Sequence, residues 1–326
     1  MSVFSEPDDF EAALGEEGCL GLLITGRGLF RARLTQIALH RLRLSAAEEQ
    51  LSRIGFIVVP ADMVLMWFPI GGAPSPVWGG VGMRAGEIMI VGPGQRLHAR
   101  TAGPCRWGAI WLPVEELIRY GRALTGAPFG VPSGAQYRRP APANGTHLHH
   151  LHAAAIRMAQ IRPQALVDAE AAHGLEQQLI HALIKCLPAG MEDKRVTATD
   201  RCQDILSRFE DLLKAQPNRN LHMAEICAAL SVSDHLLRSL CLEHLGLGPT
   251  AYIRVRRMSL ARRDLWRGNH GVASVSGAAR RHGFHDGGRF AASYRELFGE
   301  LPSVTLRRSL RAGTADLARR RMHLPV

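Results

Sequence analysis

The sequence predicts a multidomain α+β protein: a β-rich domain first, central helices next, and an all-α domain last. Three observations carry this. Apolar runs of strand length, broken by Gly/Pro turns, fill residues from about 20 to 113. Apolar residues at helical spacing dominate after Thr146. The last third repeats one helix–turn–helix pattern and holds most of the positive charge.

The chain has 326 residues, 46% of them hydrophobic, and a mean hydropathy of −0.03, enough for two domains with cores of their own. No apolar run is long enough to predict a membrane span. The opening MSVFSEPDDFEAALGEE is acidic and lacks the basic-then-apolar order of a signal peptide. The six cysteines, Cys19, Cys105, Cys186, Cys202, Cys227 and Cys241, are scattered without a C-x-x-C pair. That suits reduced thiols and a cytoplasmic location.

The β-rich domain is expected over residues 1–145. IGFIVVP, MVLMWFPI and EIMIVGPG read as strands, and many short strands suggest a sandwich or barrel. LPVEELIRYGRALTG reads as a helix stopping at Gly126, followed by a Pro/Gly-rich loop. His40 and His98 stand alone among the strands, which argues against a metal centre in the barrel. Trp67, Trp78, Trp107 and Trp111 read mainly as core, with an organic-effector pocket as the other reading. No nucleophile elbow, P-loop or dinucleotide fingerprint appears, and GPGQRLHARTAGP carries only G-x-G. No catalytic residue, metal or cofactor is therefore predicted.

Central helices are expected over 146–187. Their first segment, THLHHLH, holds His147, His149, His150 and His152. On a helix from Thr146, Leu148, Leu151, Ala155 and Met158 form one stripe. His147 and His152 flank it, and His149 and His150 point away, so the four do not converge on a metal. The stripe suits intramolecular packing or a dimer interface. A polar linker is expected over 188–200. DRCQDILSRFEDLLKAQ then reads as an amphipathic helix with Ile205, Phe209 and Leu212 on one face.

From Leu221 onward the chain has 17 arginines, no lysine and 8 acidic residues, so this segment supplies +9 of the total +11. Such an excess points to a polyanion partner. Here EICAALSVSDHLLRSLCLEHLGLGP and VSGAARRHGFHDGGRFAASYRELFGELP each read as a short helix, a tight turn and a second helix. Small residues four apart, Cys227/Ser231 and Ala279/Gly283, suit a close crossing and its turn. Ser233 and Asp286 are placed to cap the second helices. Leu237, Cys241, Glu243, Gly246 and Pro249 map onto Phe290, Tyr294, Glu296, Gly299 and Pro302, always 53 residues on.

In the first repeat Leu236, Leu237 and Leu240 face inward, and His235, Arg238 and Ser239 face out. In the second, Phe290 and Tyr294 are core, Arg289 is the base reader and His285 sits in the turn. Arg238 suits a bidentate contact to guanine. Arg256, Arg257, Arg262, Arg263, Arg280, Arg281 and Arg295 read as phosphate contacts or scaffold ion pairs.

Residues from about 221 to 308 resemble the DNA-binding domain of AraC/XylS-type transcription regulators. The resemblance rests on ICAALSVSDHLLRSL, the joining helix AYIRVRRMSLARRDL and GFHDGGRFAASYRELFGELPSVTLRR. It implies a tandem helix-turn-helix domain, here 201–312 with a basic tail over 313–326, whose second helices enter successive major grooves. It also implies a cupin-like barrel as the N-terminal ligand or oligomerisation domain. The implied partners are double-stranded DNA, a small-molecule effector, a second copy in a homodimer, and RNA polymerase. Cys227 and Ser231 depart from the family's usual Ala and Gly. Gly287, Gly288 and Ala292 stand where many relatives carry long polar side chains, which thins direct readout by that helix. GNHGVAS makes the inter-unit connection long. Two other readings are a constitutive DNA binder whose barrel only dimerises, and a metal-dependent cupin enzyme or metal sensor using the barrel or the histidine cluster.

Overall fold

The computed structural model describes residues 1–15, 18–71, 76–84, 86–132, 134–187, 195–196, 200–217, 219, 221–267 and 274–309. The expected linker lies outside them apart from residues 195–196 and 200. The GNHGVAS connection up to residue 273 and the expected basic tail lie outside them too.

The first half runs β1 (Ser2–Phe4), α1 (Pro7–Gly15), β2 (Cys19–Ile24), β3 (Ala32–Ala38), β4 (Arg43–Glu49), β5 (Arg53–Val58), β6 (Met63–Pro69), β7 (Val77–Trp78), β8 (Val81–Gly82), β9 (Ile88–Val91), β10 (Arg96–Thr101), β11 (Cys105–Pro113), α2 (Val114–Thr125) and β12 (Ala135–Arg138). Then follow α3 (Pro142–Ile161), α4 (Ala169–Lys185), β13 (Arg195–Val196), α5 (Asp200–Ala215), α6 (Met223–Leu230), α7 (Asp234–Leu245), α8 (Pro249–Arg267), α9 (Val275–Arg281) and α10 (Gly287–Phe298). Residues 302–309 are helical as well.

The strands form two antiparallel sheets. The larger has the order β1-β3-β4-β11-β6-β9-β12-β13 and the smaller β2-β5-β10-β7-β8. Alternation along β6 shows how they stack. Met63, Leu65 and Trp67 face the smaller sheet, while Val64, Met66 and Phe68 face α2, α3 and α4. Both faces are covered, which is why this strand reads as one unbroken apolar run. Between the sheets lies a buried ion pair. Arg53 Nε and Nη2 donate to the Glu49 carboxylate at 2.7 and 3.0 Å, and Trp107 Nε1 donates to it at 2.6 Å. Arg53 begins β5 and Glu49 ends β4, so the pair pins the crossing from one sheet to the other.

The outer face of the larger sheet is closed by the helices. α3 starts four residues earlier than expected, with Pro142 in its first turn, where a missing N–H costs nothing. Its buried residues are Leu148, His152, Ala155 and Ile156, so the stripe is rotated from the expected one. Leu151 and Met158 are only half-buried. His152 places Nε2 3.1 Å from the Ser45 carbonyl and meets the Phe68 ring edge-on at 5.0 Å. His149 does not point away: its ring lies 4.6 Å from Phe68. Gly108 makes the room, since a Cβ there would sit 2.5 Å from the Phe68 ring and 2.8 Å from His152. The larger sheet wins both histidines because their rings fill the gap over Phe68. From α4, the buried Glu176 accepts from the backbone N–H groups of Arg41 and Leu42 at 2.5 and 3.1 Å, fixing the turn before β4.

The outer face of the smaller sheet is closed by the C-terminal domain. Leu23 and Ile54 join Ile205, Leu206, Phe209 and Leu213 of α5 in one core with α6, α7 and α8. The molecule therefore stacks four layers: α2–α4, larger sheet, smaller sheet, C-terminal helices.

Burial pushes His152 down to about 4, against the hydrogen bond to Ser45. The unfolded chain takes up that proton near pH 6.5, the folded chain only near 4. This contribution is complete above pH 6.5 and is lost as pH falls. Between about pH 7 and pH 5 the wild type should lose roughly 2 kcal/mol through His152, a loss that His152→Gln removes. Urea unfolding of both proteins at the two pH values checks this. Equal pH slopes would contradict it.

Candidate nucleic-acid interface

The first repeat folds as α6, turn and α7. Glu225 accepts from the N–H of His222 at 2.9 Å, closing a capping box at the start of α6. The helix ends at Ser231 with φ 56°, ψ 46°, the one non-glycine residue at positive φ among the described residues. Its counterpart in the second repeat is Gly283 at φ 79°. Both turns need the left-handed conformation to swing the second helix across the first. Ser233 then accepts from Leu236 N at 3.2 Å, capping α7. The helix buries Leu237, Leu240, Cys241, His244 and Leu245, with Leu236 half-buried, and exposes His235, Arg238 and Ser239.

The second repeat matches step for step. Ser274 caps α9 by accepting from Gly277 N at 3.1 Å, and Asp286 caps α10 by accepting from Arg289 N at 2.9 Å. α10 buries Phe290, Tyr294 and Phe298 and stops at Gly299. His285, Gly287, Gly288, Arg289 and Ala292 are exposed. α8 joins the two units across 19 residues, about 28 Å at 1.5 Å per residue.

The two base-reading candidates are lightly held. Arg238 lies 3.2 Å from Asp234 and Arg289 lies 3.3 Å from Asp286, with all four side chains at least half exposed. Exposed pairs of this kind are worth at most about 1 kcal/mol, so both guanidinium groups can exchange partners for a base edge. The arginines expected as phosphate contacts or scaffold ion pairs divide. Arg280 and Arg295 are exposed. Arg281 Nη1 sits 3.2 Å from Asp264, and Arg257 donates to the Arg219 carbonyl at 3.0 Å. Arg256 is largely buried and donates to Glu210 at 2.7 Å. Arg262 and Arg263 pair with acids of the β domain. Arg256, Arg262 and Arg263 thus serve the scaffold in this structure. Sequence reasoning missed Arg254, whose Nη2 donates to Ser293 of α10 at 2.8 Å. Its place one helical turn before Met258, a core residue of the second unit, is the only hint.

Trp67, Trp78, Trp107 and Trp111 do come together, with Trp67 centred 5.1 Å from Trp78 and 6.2 Å from Trp107. They surround a cavity of about 40 Å³, also lined by Arg53 and Cys19. That volume admits a water or two rather than an organic effector. A larger cleft of about 250 Å³ opens at the domain boundary, lined by Leu23, Phe56, Lys214, Tyr252, Arg256 and Arg263 among others. Among the described residues no group of three or more His, Cys, Asp or Glu is placed to hold a metal, and no helix is long and apolar enough to cross a membrane.

Two capped helix–turn–helix units on one joining helix, with polar residues exposed on each second helix, define the C-terminal domain as a tandem helix-turn-helix DNA-binding domain. A family model described as a helix-turn-helix domain matches residues 226–308. The sequence is 38% identical over 101 residues to XylDLEGF operon transcriptional activator 1 of Pseudomonas putida, covering 31% of this chain and 30% of that protein. It is 35% identical over 97 residues to a probable thc operon regulatory protein of Rhodococcus erythropolis, covering 30% and 29%. These matches span about a third of the length of the curated relatives. Among solved structures, a probable AraC family transcriptional regulator from Rhodopseudomonas palustris aligns at 30% identity with a TM-score of 0.30, covering 32% of this chain and 97% of that one. ToxT from Vibrio cholerae aligns at 13% identity with a TM-score of 0.30, covering 85% and 96%. The C-terminal domain is thus a helix-turn-helix domain similar in sequence to part of these transcriptional activators.

Ser231→Gly should stabilise the protein by roughly 0.5–1 kcal/mol, since glycine takes the left-handed turn without the Cβ clash, less its greater unfolded entropy. Urea unfolding reads this directly. A destabilised Ser231→Gly protein would mean that the serine side chain, not the turn, matters there.

Proposed function

We propose that the protein is a cytoplasmic, sequence-specific DNA-binding transcription regulator that responds to a small-molecule effector and has no enzymatic role. The observation that carries this is the pairing of α7 and α10. Each is capped, each buries an apolar face, and each leaves its first two turns free to enter a major groove. His235, Arg238 and Ser239 read the first half-site. Arg289, beside His285, reads the second. The small residues around Arg289 leave that half-site to a single long side chain and to DNA shape. Arg280 and Arg295 supply phosphate contacts, with Arg257 and Arg281 able to join them by exchanging partners.

The effector reading rests on room. The boundary cleft is larger than the tryptophan cavity, and a ligand in it touches both domains. The small cavity also supports the second reading, a constitutive DNA binder whose barrel serves for assembly. Effector screening by thermal stability separates the two. A homodimer and contact with RNA polymerase follow from the family resemblance. The apolar face of α3 is covered by the larger sheet, so a dimer would use another surface.

Sites selected by the full chain from random DNA give the substrate for the test. Arg238→Ala and Arg289→Ala should each lower preference for the selected site by roughly 1–3 kcal/mol in competition binding. If neither changes site preference, the groove assignment is wrong.

A further inference from the structure

The start of the β domain reaches into the core of the second helix–turn–helix unit. Glu6 is 2% exposed and accepts from Arg262 Nη2 at 2.5 Å and from Arg308 Nη2 at 2.6 Å. The other end of Arg262 donates to Glu300 at 2.9 Å and lies 3.4 Å from the Tyr294 hydroxyl, and its guanidinium stacks 4.9 Å from the Phe298 ring centre. Tyr294 and Phe298 are the buried face of α10. Thr305 ties the same knot, 2.8 Å from Tyr294 and 2.7 Å from Glu300.

Two guanidinium groups and two carboxylates balance here. Without Glu6, Arg262 and Arg308 would share Glu300 alone, and Arg262 is nearly out of solvent. A buried charge left without its partner is costly and drives rearrangement. The flanks are tied as well. Arg263 donates to Asp8 and Glu11 at 2.7 and 2.9 Å, Gly28 N donates to the Leu297 carbonyl at 3.1 Å, and Arg27 lies 2.8 Å from Glu296. None of this covers the reading face of α10, whose residues from His285 to Arg289 stay exposed. The contact therefore seats the helix from behind and leaves its groove side open.

We infer that Glu6 is a positioning residue for DNA reading: a carboxylate of the β domain sets the aim of α10 through Arg262. The placement matters because Arg289 is the only long reader among the exposed residues at the start of that helix. One side chain reaching one base edge tolerates a misplacement of only about half an ångström. The inference rests on the DNA-reading role proposed above.

The test uses the full chain and its selected site, with discrimination measured separately at each half-site by single-base competitors. Glu6→Gln keeps shape and removes charge. It should lower discrimination at the second half-site about tenfold and leave the first unchanged. Glu6→Gln with Arg308→Gln restores the charge balance and should recover part of the loss. It also asks the same question if the single variant folds poorly. Equal loss at both half-sites would mean a merely structural role and would overturn the inference. So would unchanged discrimination, or tighter binding, which would make the contact a restraint. A wild-type chain without preference at either half-site would sink the DNA-reading role as well.

Discussion

A guanidinium group cannot stay buried without carboxylates around it, and Arg262 finds half of its complement in another domain. Glu300 comes from its own unit, 38 residues away, and Glu6 from the start of the chain, 256 residues away. The first unit repeats the theme with the polarity reversed. Its buried acid, Glu210, accepts from Tyr252 and Arg256 of α8 and meets His98 of the smaller sheet at 3.3 Å. Burial alone would raise the Glu210 carboxyl, but His98, Arg256 and Tyr252 together hold it at about 2. Both helix–turn–helix units thus complete their polar cores with a residue of the β domain. Apolar contact of Leu23 and Ile54 with α5–α8 supplies the area, and the ion pairs supply the register.

This docking explains the construction of the β domain. Each sheet is covered on both faces, the larger by helices and the smaller by the C-terminal domain. A sheet used on both faces has little solvent-exposed surface with which to respond to a ligand. Of the cleft at the boundary, beside α5 and α8, and the cavity among the tryptophans, the boundary cleft has the greater room. Ligand occupancy and helix placement would then share two side chains: Arg256, paired with Glu210 inside the C-terminal domain, and Arg263, paired with Asp8 across the boundary.

The C-terminal domain was legible because its signals are local. Caps at Ser233 and Asp286 and stops at Gly246 and Gly299 lie within a turn or two of the helices they control, and the 53-residue offset shows the pattern twice. The β domain was legible as strands, since apolar runs and turns are local too, but its pairing order was not. The histidine segment shows the limit of periodicity. Helical spacing put His152 at the edge of the stripe and His149 facing away, whereas the larger sheet buries His152 and half-buries His149 because Gly108 and Phe68, far upstream in the chain, leave ring-shaped space. Which of the seven arginines serve the scaffold, Arg256, Arg262 and Arg263 among them, was hidden for a similar reason. A composition rich in arginine says that a polyanion is near, and only the fold tells which arginines already have acids.

Two helix–turn–helix units, held at fixed spacing by α8 and by the β domain, would read adjacent turns of one DNA face. Hydroxyl-radical footprinting of the full chain on its selected site tests this most directly. Two protected windows are expected on one face, about 34 Å apart, one helical turn of the duplex. A single protected window, or two windows on opposite faces, would contradict it.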